Sequence, residues 1–217
     1  MDSLDVVNSR TRAAYNLAAQ RYHDLFHEEM QEKEFDRRLL DSFALKFDTT
    51  SLICDAGCGP SGHIGRYMFY KGLQVIGVDI SDKSIELARR YNPGMRFERE
   101  DIGAMTFADG TFDGILSYYS IINTPKIYVD RIFREFSRVL KPNGYVLVTV
   151  KAGTAEGYVD DLLGIRTKIF LALFTEQEII QYLYHTGFAV ESIERRDPYS
   201  FEINNERIFA IGRKSRR

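Results

Sequence analysis

Between Leu52 and Asp79 a short apolar run, a glycine-rich turn, a helical stretch and a second apolar run follow one another. They are Leu52-Ile53-Cys54-Asp55, then Ala56-Gly57-Cys58-Gly59-Pro60-Ser61-Gly62, then His63 to Lys71, then Leu73-Gln74-Val75-Ile76-Gly77-Val78-Asp79. Apolar runs this short, bounded by turn residues, read as buried strands rather than helices. The grammar repeats downstream. A helix starts at a Ser81 cap, Met95 to Glu98 is a third strand and Phe112 to Ser117 a fourth. A helix over Lys126 to Leu140 is stopped by Lys141-Pro142-Asn143-Gly144, and Tyr145 to Val150 is a fully apolar fifth strand. Strands alternating with helices predict an α/β fold, a doubly wound parallel sheet covered on both faces.

The ends of the chain differ from this middle. Residues from about Asp5 to Phe47 carry apolar positions at three-and-four spacing (Ala14, Leu17, Ala18; Leu39, Leu40, Phe43) without a proline or glycine, and predict a helical cap. A helix from Thr175 to His185 and two alternating runs, Phe188 to Arg195 and Glu206 to Ile211, predict a closing antiparallel hairpin. The expected organisation is one domain: a cap over 1–48, a core over 49–150, a substrate loop over 151–174 and a C-terminal helix with closing strands over 175–217. The loop is long for a compact domain, as lids and substrate loops are. The basic end, Arg213-Lys214-Ser215-Arg216-Arg217, reads as a frayed tail.

Lys and Arg number 29 against 31 Asp and Glu, a net charge of −2, which excludes nucleic-acid binding through bulk positive charge and a polybasic membrane binder. The first residues carry acids and no signal-like apolar core, and no run approaches the ~18 residues of a membrane span, so a cytoplasmic protein is expected. Two cysteines, Cys54 and Cys58, make neither a disulfide framework nor a metal site.

The chemistry lies at the strand ends. Glycines after the first parallel strand let a ligand approach the backbone, and the helix behind them presents free N–H groups. Asp79 closes the next strand 24 residues after Asp55, near the ~20 expected of a carboxylate that takes ribose hydroxyls. A third acid, Asp101, follows the third strand. Carboxylates gathered at one sheet edge repel one another unless a polar ligand or backbone donors satisfy them.

These motifs, with Phe112-Asp113-Gly114-Ile115-Leu116-Ser117-Tyr118-Tyr119-Ser120, Leu140-Lys141-Pro142-Asn143-Gly144-Tyr145, Phe174-Thr175 and Gly187-Phe188, resemble the class I S-adenosylmethionine-dependent methyltransferases of the small-molecule type 11 branch. The resemblance runs over nearly the whole chain and implies a Rossmann-like sheet and S-adenosylmethionine as cofactor. It implies that Asp55, Ala56, Gly57, Cys58 and Gly59 hold the methionine end, Asp55 through the ammonium. Asp79 would bind the ribose diol, Ile80 pack on adenine, and Asp101 and the Ile102 amide meet the adenine edge. Ser117 and Tyr118 would lie beside the sulfonium, with Tyr15 or Tyr22 reaching the cofactor carboxylate from the cap. The third glycine of the family turn is replaced by Ser61, and a histidine common in relatives is absent near Asn123.

An Asn/Asp-Pro-Pro-aromatic tetrad, a Pro-Cys nucleophile and an acid after strand four are all missing, which argues against base-amino, cytosine-carbon and metal-dependent methylation. Transfer to an O or N atom of a small-molecule acceptor is expected, in a monomer or homodimer without metal. Tyr118, Tyr119, Tyr158, Phe170 and Phe174 would line an aromatic pocket, where Arg166 and Lys168 could pair with an acid. His23, His27 and Tyr119 are the candidates for a base, though proximity alone can supply ~7–11 kcal/mol against the ~10²–10⁴-fold of a base. An NAD(P)-dependent oxidoreductase and a non-catalytic cofactor-binding module are the alternatives. Asp55 opposes the first, because a carboxylate there repels pyrophosphate.

Overall fold

The computed structural model describes residues 2–215. Its centre is a seven-stranded sheet in the order β3-β2-β1-β4-β5-β9-β8. The strands are β1 (Leu52–Ala56), β2 (Gln74–Asp79), β3 (Arg96–Arg99), β4 (Phe112–Tyr118), β5 (Leu140–Lys151), β8 (Phe188–Arg196) and β9 (Arg207–Lys214). The first five pair in parallel, and β9 runs antiparallel to both β5 and β8. The connection order reverses between β1 and β4, which opens a crevice at the strand C-termini where ligands of doubly wound sheets bind.

Alternation along the strands divides the interior into two layers. Cys54, Ala56, Ile115, Val146, Val148 and Ala210 face one way, onto Phe133 and Phe136 of α5 (Lys126–Val139) and Leu183 of α6 (Glu176–His185). Ile53, Val75, Leu116, Tyr118, Leu147 and Phe209 face the other, onto Leu40 and Phe43 of α2 (Glu34–Ala44) and Ile64 and Met68 of α3 (His63–Tyr70). The fold class expected from the sequence is the one found.

Sequence signals explain the helix starts. The Ser81 side chain accepts from the Ser84 amide and opens α4 (Asp82–Tyr91). Thr175 accepts from Glu178, whose carboxylate in turn accepts from the Thr175 amide, a reciprocal capping box that opens α6.

The N-terminal region is helical, as α1 (Leu4–Phe26), a 3-10 turn over Glu29–Gln31, and α2. Two expectations change. Residues 151–174 are not an irregular loop: β6 (Glu156–Leu162) and β7 (Ile165–Ala172) form a hairpin, turned by Leu163 and Gly164 at φ 57° and 80°. Arg213 and Lys214 are not frayed either. They end β9, with the Lys214 ammonium donating to the Leu140 carbonyl at 2.7 Å, while Arg216 and Arg217 lie outside the described residues.

Helix α1 crosses the C-terminal edge of the sheet. Its buried stripe of Val7, Ala14, Ala18 and Ala19 is small enough for close approach to the strand ends. Asn16 accepts from the Ser81 hydroxyl and the Lys83 amide, and Arg66 of α3 donates to the His27 carbonyl just past the end of α1.

The capping box gives a direct check. Thr175→Ala removes its two hydroxyl bonds and should cost about 1 kcal/mol in urea unfolding, with the m-value unchanged.

Candidate functional site

The crevice at the switch point is built on two buried carboxylates. Asp55, 1% exposed, sits within β1 and accepts from the Gly65 amide at the start of α3 at 2.9 Å. Asp79, 7% exposed, ends β2. One of its oxygens accepts from the Gly59 amide at 3.0 Å and the other from the Ser81 amide at 2.8 Å. Among the described residues neither carboxylate has a cation within 4.0 Å. Burial pushes Asp55 up to about 7, against the Gly65 hydrogen bond and with the Asp79 charge adding to the rise. Burial pushes Asp79 up to about 6 despite its backbone donors. Both carboxylates therefore lack the positive charge that would hold them ionised.

Between them the turn is shaped by close approach. The Gly57 and Cys58 amides both donate to the Val78 carbonyl, tying the turn to β2. Gly57 has φ +81°, and a Cβ there would lie 2.3 Å from the Ser120 Cβ, so no side chain fits. Gly59 has φ +62° and meets only the Tyr22 ring, 3.7 Å away, which leaves its face open to a ligand. Ser61, in place of a third glycine, is buried and lies 3.3 Å from His23 Nδ1.

The other sequence candidates fall around this centre. Asp101 is half-buried and accepts from the Gly103 amide and from Asn8 Nδ2, each at 2.8 Å. Ile80 and Ile102 are half-buried beside these acids, while Ala56 and Cys58 are buried. Tyr15 donates to Asn123 Oδ1 at 3.0 Å. Burial first, then the Asp79 charge, raises its phenol. Tyr22 is raised by burial and then by Glu29, Tyr15, Asp79 and Tyr119, which places it between the glycine turn and the far side of the crevice. Ser117 Oγ lies 2.8 Å from Ser120 Oγ.

Tyr118, expected beside the sulfonium, turns its side chain away from the glycine turn. It is on the α2 face of the sheet, buried, and its hydroxyl donates to the Asp36 carboxylate. The expected aromatic lining is also thinner. Phe170 and Phe174 are buried in the main core, and Tyr158 donates to the Asp2 carboxylate. Lys168 lies 5.0 Å from the Tyr158 ring centre.

His23 stacks on Tyr91 at 3.6 Å between ring centres, and burial, then His27, lowers its pKa. His27 Nδ1 is 2.9 Å from the His23 carbonyl and donates to it. Both rings are thus used to pack the end of α1. Burial raises the Tyr119 phenol, so it stays protonated at neutral pH and can donate to a ligand but not accept a proton from one.

Beyond Tyr118 lies a chain of buried charges that sequence reading missed. His63 donates to Glu29 at 2.9 Å, and Lys33 bridges Glu29 at 2.8 Å and Glu202 at 2.9 Å. Arg196 bridges Glu202 at 2.8 Å and Asp36 at 3.1 Å. Burial alone would raise Glu202, but hydrogen bonds from Arg196 and Lys33 outweigh it and hold it at about 2. Asn8 and Asn16 were missed as well. Their signal was two asparagines eight residues apart in a helix otherwise suited to packing.

Residues 54–148 match the type 11 family model described as a methyltransferase domain. That stretch is similar to the methyltransferase domain of that family. The matched stretch holds Asp55, the glycine turn, Asp79, Asp101, Ser117 and Tyr118, so the methyltransferase domain includes the whole carboxylate crevice but neither α1 nor β6 to β9. A sterol 24-C-methyltransferase of Aspergillus fumigatus is 29% identical over 42% of this chain and 26% of its own length. A malonyl-[acyl-carrier protein] O-methyltransferase of Pseudescherichia vulneris is 29% identical over 69% of this chain and 57% of its own. The chain therefore spans about a quarter of the first relative and little over half of the second. The 1,6-didemethyltoxoflavin-N1-methyltransferase of Burkholderia thailandensis shares the fold, with TM-score 0.78 over 99% of this chain and 92% of that one at 17% identity.

The raised carboxylates fix a pH dependence. In the unfolded chain both titrate near the ordinary aspartate value, about 3.9. Over the window from about 4 to about 7 the folded protein binds more protons than the unfolded one, so stability is greatest below the window and falls as pH rises through it. Asp55→Asn should flatten that fall in thermal melts of the ligand-free protein taken across pH 4 to 8.

Proposed function

We propose that the chain is an S-adenosylmethionine-dependent methyltransferase acting on an O or N atom of a small molecule. The observation that carries the reading is the pair of buried carboxylates, Asp55 and Asp79, which flank an open glycine face and have no cation partner. A dinucleotide pyrophosphate would meet like charge there, whereas a cationic amino acid-nucleoside meets opposite charge. The domain match supports a methyltransferase, and the relative named malonyl-[acyl-carrier protein] O-methyltransferase supports an oxygen acceptor, whereas the relative named sterol 24-C-methyltransferase acts on carbon.

The roles follow from placement. Asp55 and the Gly57 to Gly59 turn would hold the amino-acid end, with Tyr15 and Tyr22 closing over it from α1. Asp79 keeps a free lone pair on each oxygen after its two backbone bonds, enough for two ribose hydroxyls. Asp101 and Ile102 would meet the base edge, and Ile80 its face. When bound, the cofactor supplies a methyl group already activated on a sulfonium centre. The protein has then to align a lone pair behind that methyl and keep water out. The helix α1 over the crevice and the hairpin β6–β7 against it are placed to do the second. The Tyr119 hydroxyl can orient an acceptor by donating a hydrogen bond. We assign the cap (1–48) to closure, the core (49–150) to the donor, and the hairpin (151–174) with the closing segment (175–217) to the acceptor. A nucleic-acid or membrane partner has no place in this reading; among the described residues no helix is long and apolar enough to cross a membrane.

Asp79→Ala should weaken S-adenosylmethionine binding in calorimetry at least tenfold, from loss of charge-assisted bonds of ~1.5–3 kcal/mol each, with the circular dichroism spectrum unchanged. An unchanged affinity places the ribose elsewhere. Binding near pH 6 should also release protons, because a cation draws both aspartates into the ionised form. Titrations in buffers of different ionisation enthalpy read that release. Tighter binding of NADH than of S-adenosylmethionine would transfer the site to the oxidoreductases.

A further inference from the structure

The charge chain on the far side of the crevice holds one cation more than it holds anions. Over the C-terminal ends of β4 and β5 and the start of β9, three carboxylates, Glu29, Asp36 and Glu202, face four cations, Lys33, Arg196, Arg207 and Lys151. Lys33 and Arg196 each bridge two of the carboxylates. Arg207 comes within 3.7 Å of Glu202 and donates to the Ile203 and Asn205 carbonyls. Lys151 is left over. It is half-buried at the end of β5, opposite Arg207 in the strand register. Among the described residues its ammonium has no carboxylate within 4.0 Å and makes no hydrogen bond. Burial, then Arg207 and Lys33, pull it below the ordinary lysine range, against the opposing charge of Glu202. An ammonium crowded by two cations, with no carboxylate in direct contact, disfavours the folded state unless something else gains from it.

A second orphan shares Arg207 as a neighbour with it. The Tyr119 hydroxyl is buried without a hydrogen-bond partner. Its residue has φ 57°, in the left-handed region that a tyrosine adopts only under constraint. Lys33 Nζ and Arg207 Cζ lie 5.9 Å and 5.8 Å from its ring centre. Tyr22 feels both Tyr119 and Asp79, so this floor adjoins the donor crevice. A cation without an anion and a donor without an acceptor, flanking the same guanidinium, match one chemical group.

We propose that the methyl acceptor carries a carboxylate, and that this carboxylate docks against the Lys151 ammonium and the Tyr119 hydroxyl. The inference rests on the methyltransferase reading for calling the bound molecule an acceptor; the anchor itself rests on the two orphaned groups. One surplus positive charge suits a monoanion better than the dianion of a phosphate ester, and a carboxylate offers acceptors to both donors at once.

The test uses matched probes: benzoate, phenylacetate and hexanoate against their primary amides. Each is titrated by ligand-observed NMR into the full chain loaded with S-adenosylhomocysteine, as wild type, Lys151→Met and Lys151→Arg. The wild type should bind at least one acid tenfold or more tighter than its amide. Lys151→Met should lose that preference and Lys151→Arg keep part of it, with S-adenosylhomocysteine affinity equal in all three. Thermal melts separate anchor from structural role: without ligand, Lys151→Met should melt at or above the wild type, because a half-buried charge without a direct partner has gone. The proposal is overturned by equal binding of acids and amides, by no acid binding, by a preference that survives Lys151→Met, or by a lower melting point in that variant. Failure of S-adenosylhomocysteine to bind the wild type would sink the methyltransferase reading instead, and the acid-over-amide preference of the unloaded chain then decides the anchor alone.

Discussion

Two aspartates buried at a topological switch point, without a cation, set the terms for the rest of the molecule. A carboxylate in that setting tolerates burial only through directed donors, and the chain supplies them from its backbone: Gly65 to Asp55, Gly59 and Ser81 to Asp79. Those amides point at the acids because the glycine turn and the first residues of α3 and α4 are held where they are. The Val78 carbonyl receives both Gly57 and Cys58, and Asn16 fastens α1 to the start of α4. The donors do not suffice to keep the acids at ordinary pKa values. The fold accepts a local penalty at the place where a ligand of opposite charge removes it, which is how binding sites commonly differ from cores.

The sheet was legible because its signals are local. A short apolar run followed by glycines, or a serine or threonine immediately before a helix, acts over a handful of residues, and Ser81 and Thr175 cap as their positions announce. The β6–β7 hairpin was hidden for an equally local reason. Its turn is Leu163-Gly164, where a leucine holds φ 57° in place of the usual asparagine or aspartate, and β6 faces solvent along most of its length. The buried charge chain was illegible for the opposite reason. Glu29, Lys33, Asp36, Tyr118, Lys151, Arg196, Glu202 and Arg207 come from the cap, four strands and the β8–β9 connection, and each charged one alone reads as a solvated charge. Only the closing of β9 beside β5 brings them together.

The same division separates what is shared from what is particular. The matched domain ends at residue 148, inside β5, and so contains the carboxylate crevice and stops short of Lys151. The elements that complete the opposite wall, the 3-10 turn and α2 before the matched stretch and β8 to β9 after it, lie outside that match. A fold of this kind serves many chemistries by changing what surrounds a constant donor site. The acceptor is accordingly to be sought in the additions.

The two walls carry opposite signs. Asp55 and Asp79 leave the β1–β2 side with uncompensated negative charge, and Lys151 leaves the β5–β9 side with uncompensated positive charge. Tyr22 and Tyr119 stand between, uncharged because burial keeps both phenols protonated. In a layer from which water is excluded, fields from the two walls are weakly screened. A cationic donor and an anionic acceptor would each be drawn to its own side and repelled from the other, so the polarity of the crevice orders the two molecules before any contact specific to either is made. Such ordering requires no catalytic base, which accords with the packing roles of His23 and His27 and with a tyrosine at position 119 that can only donate.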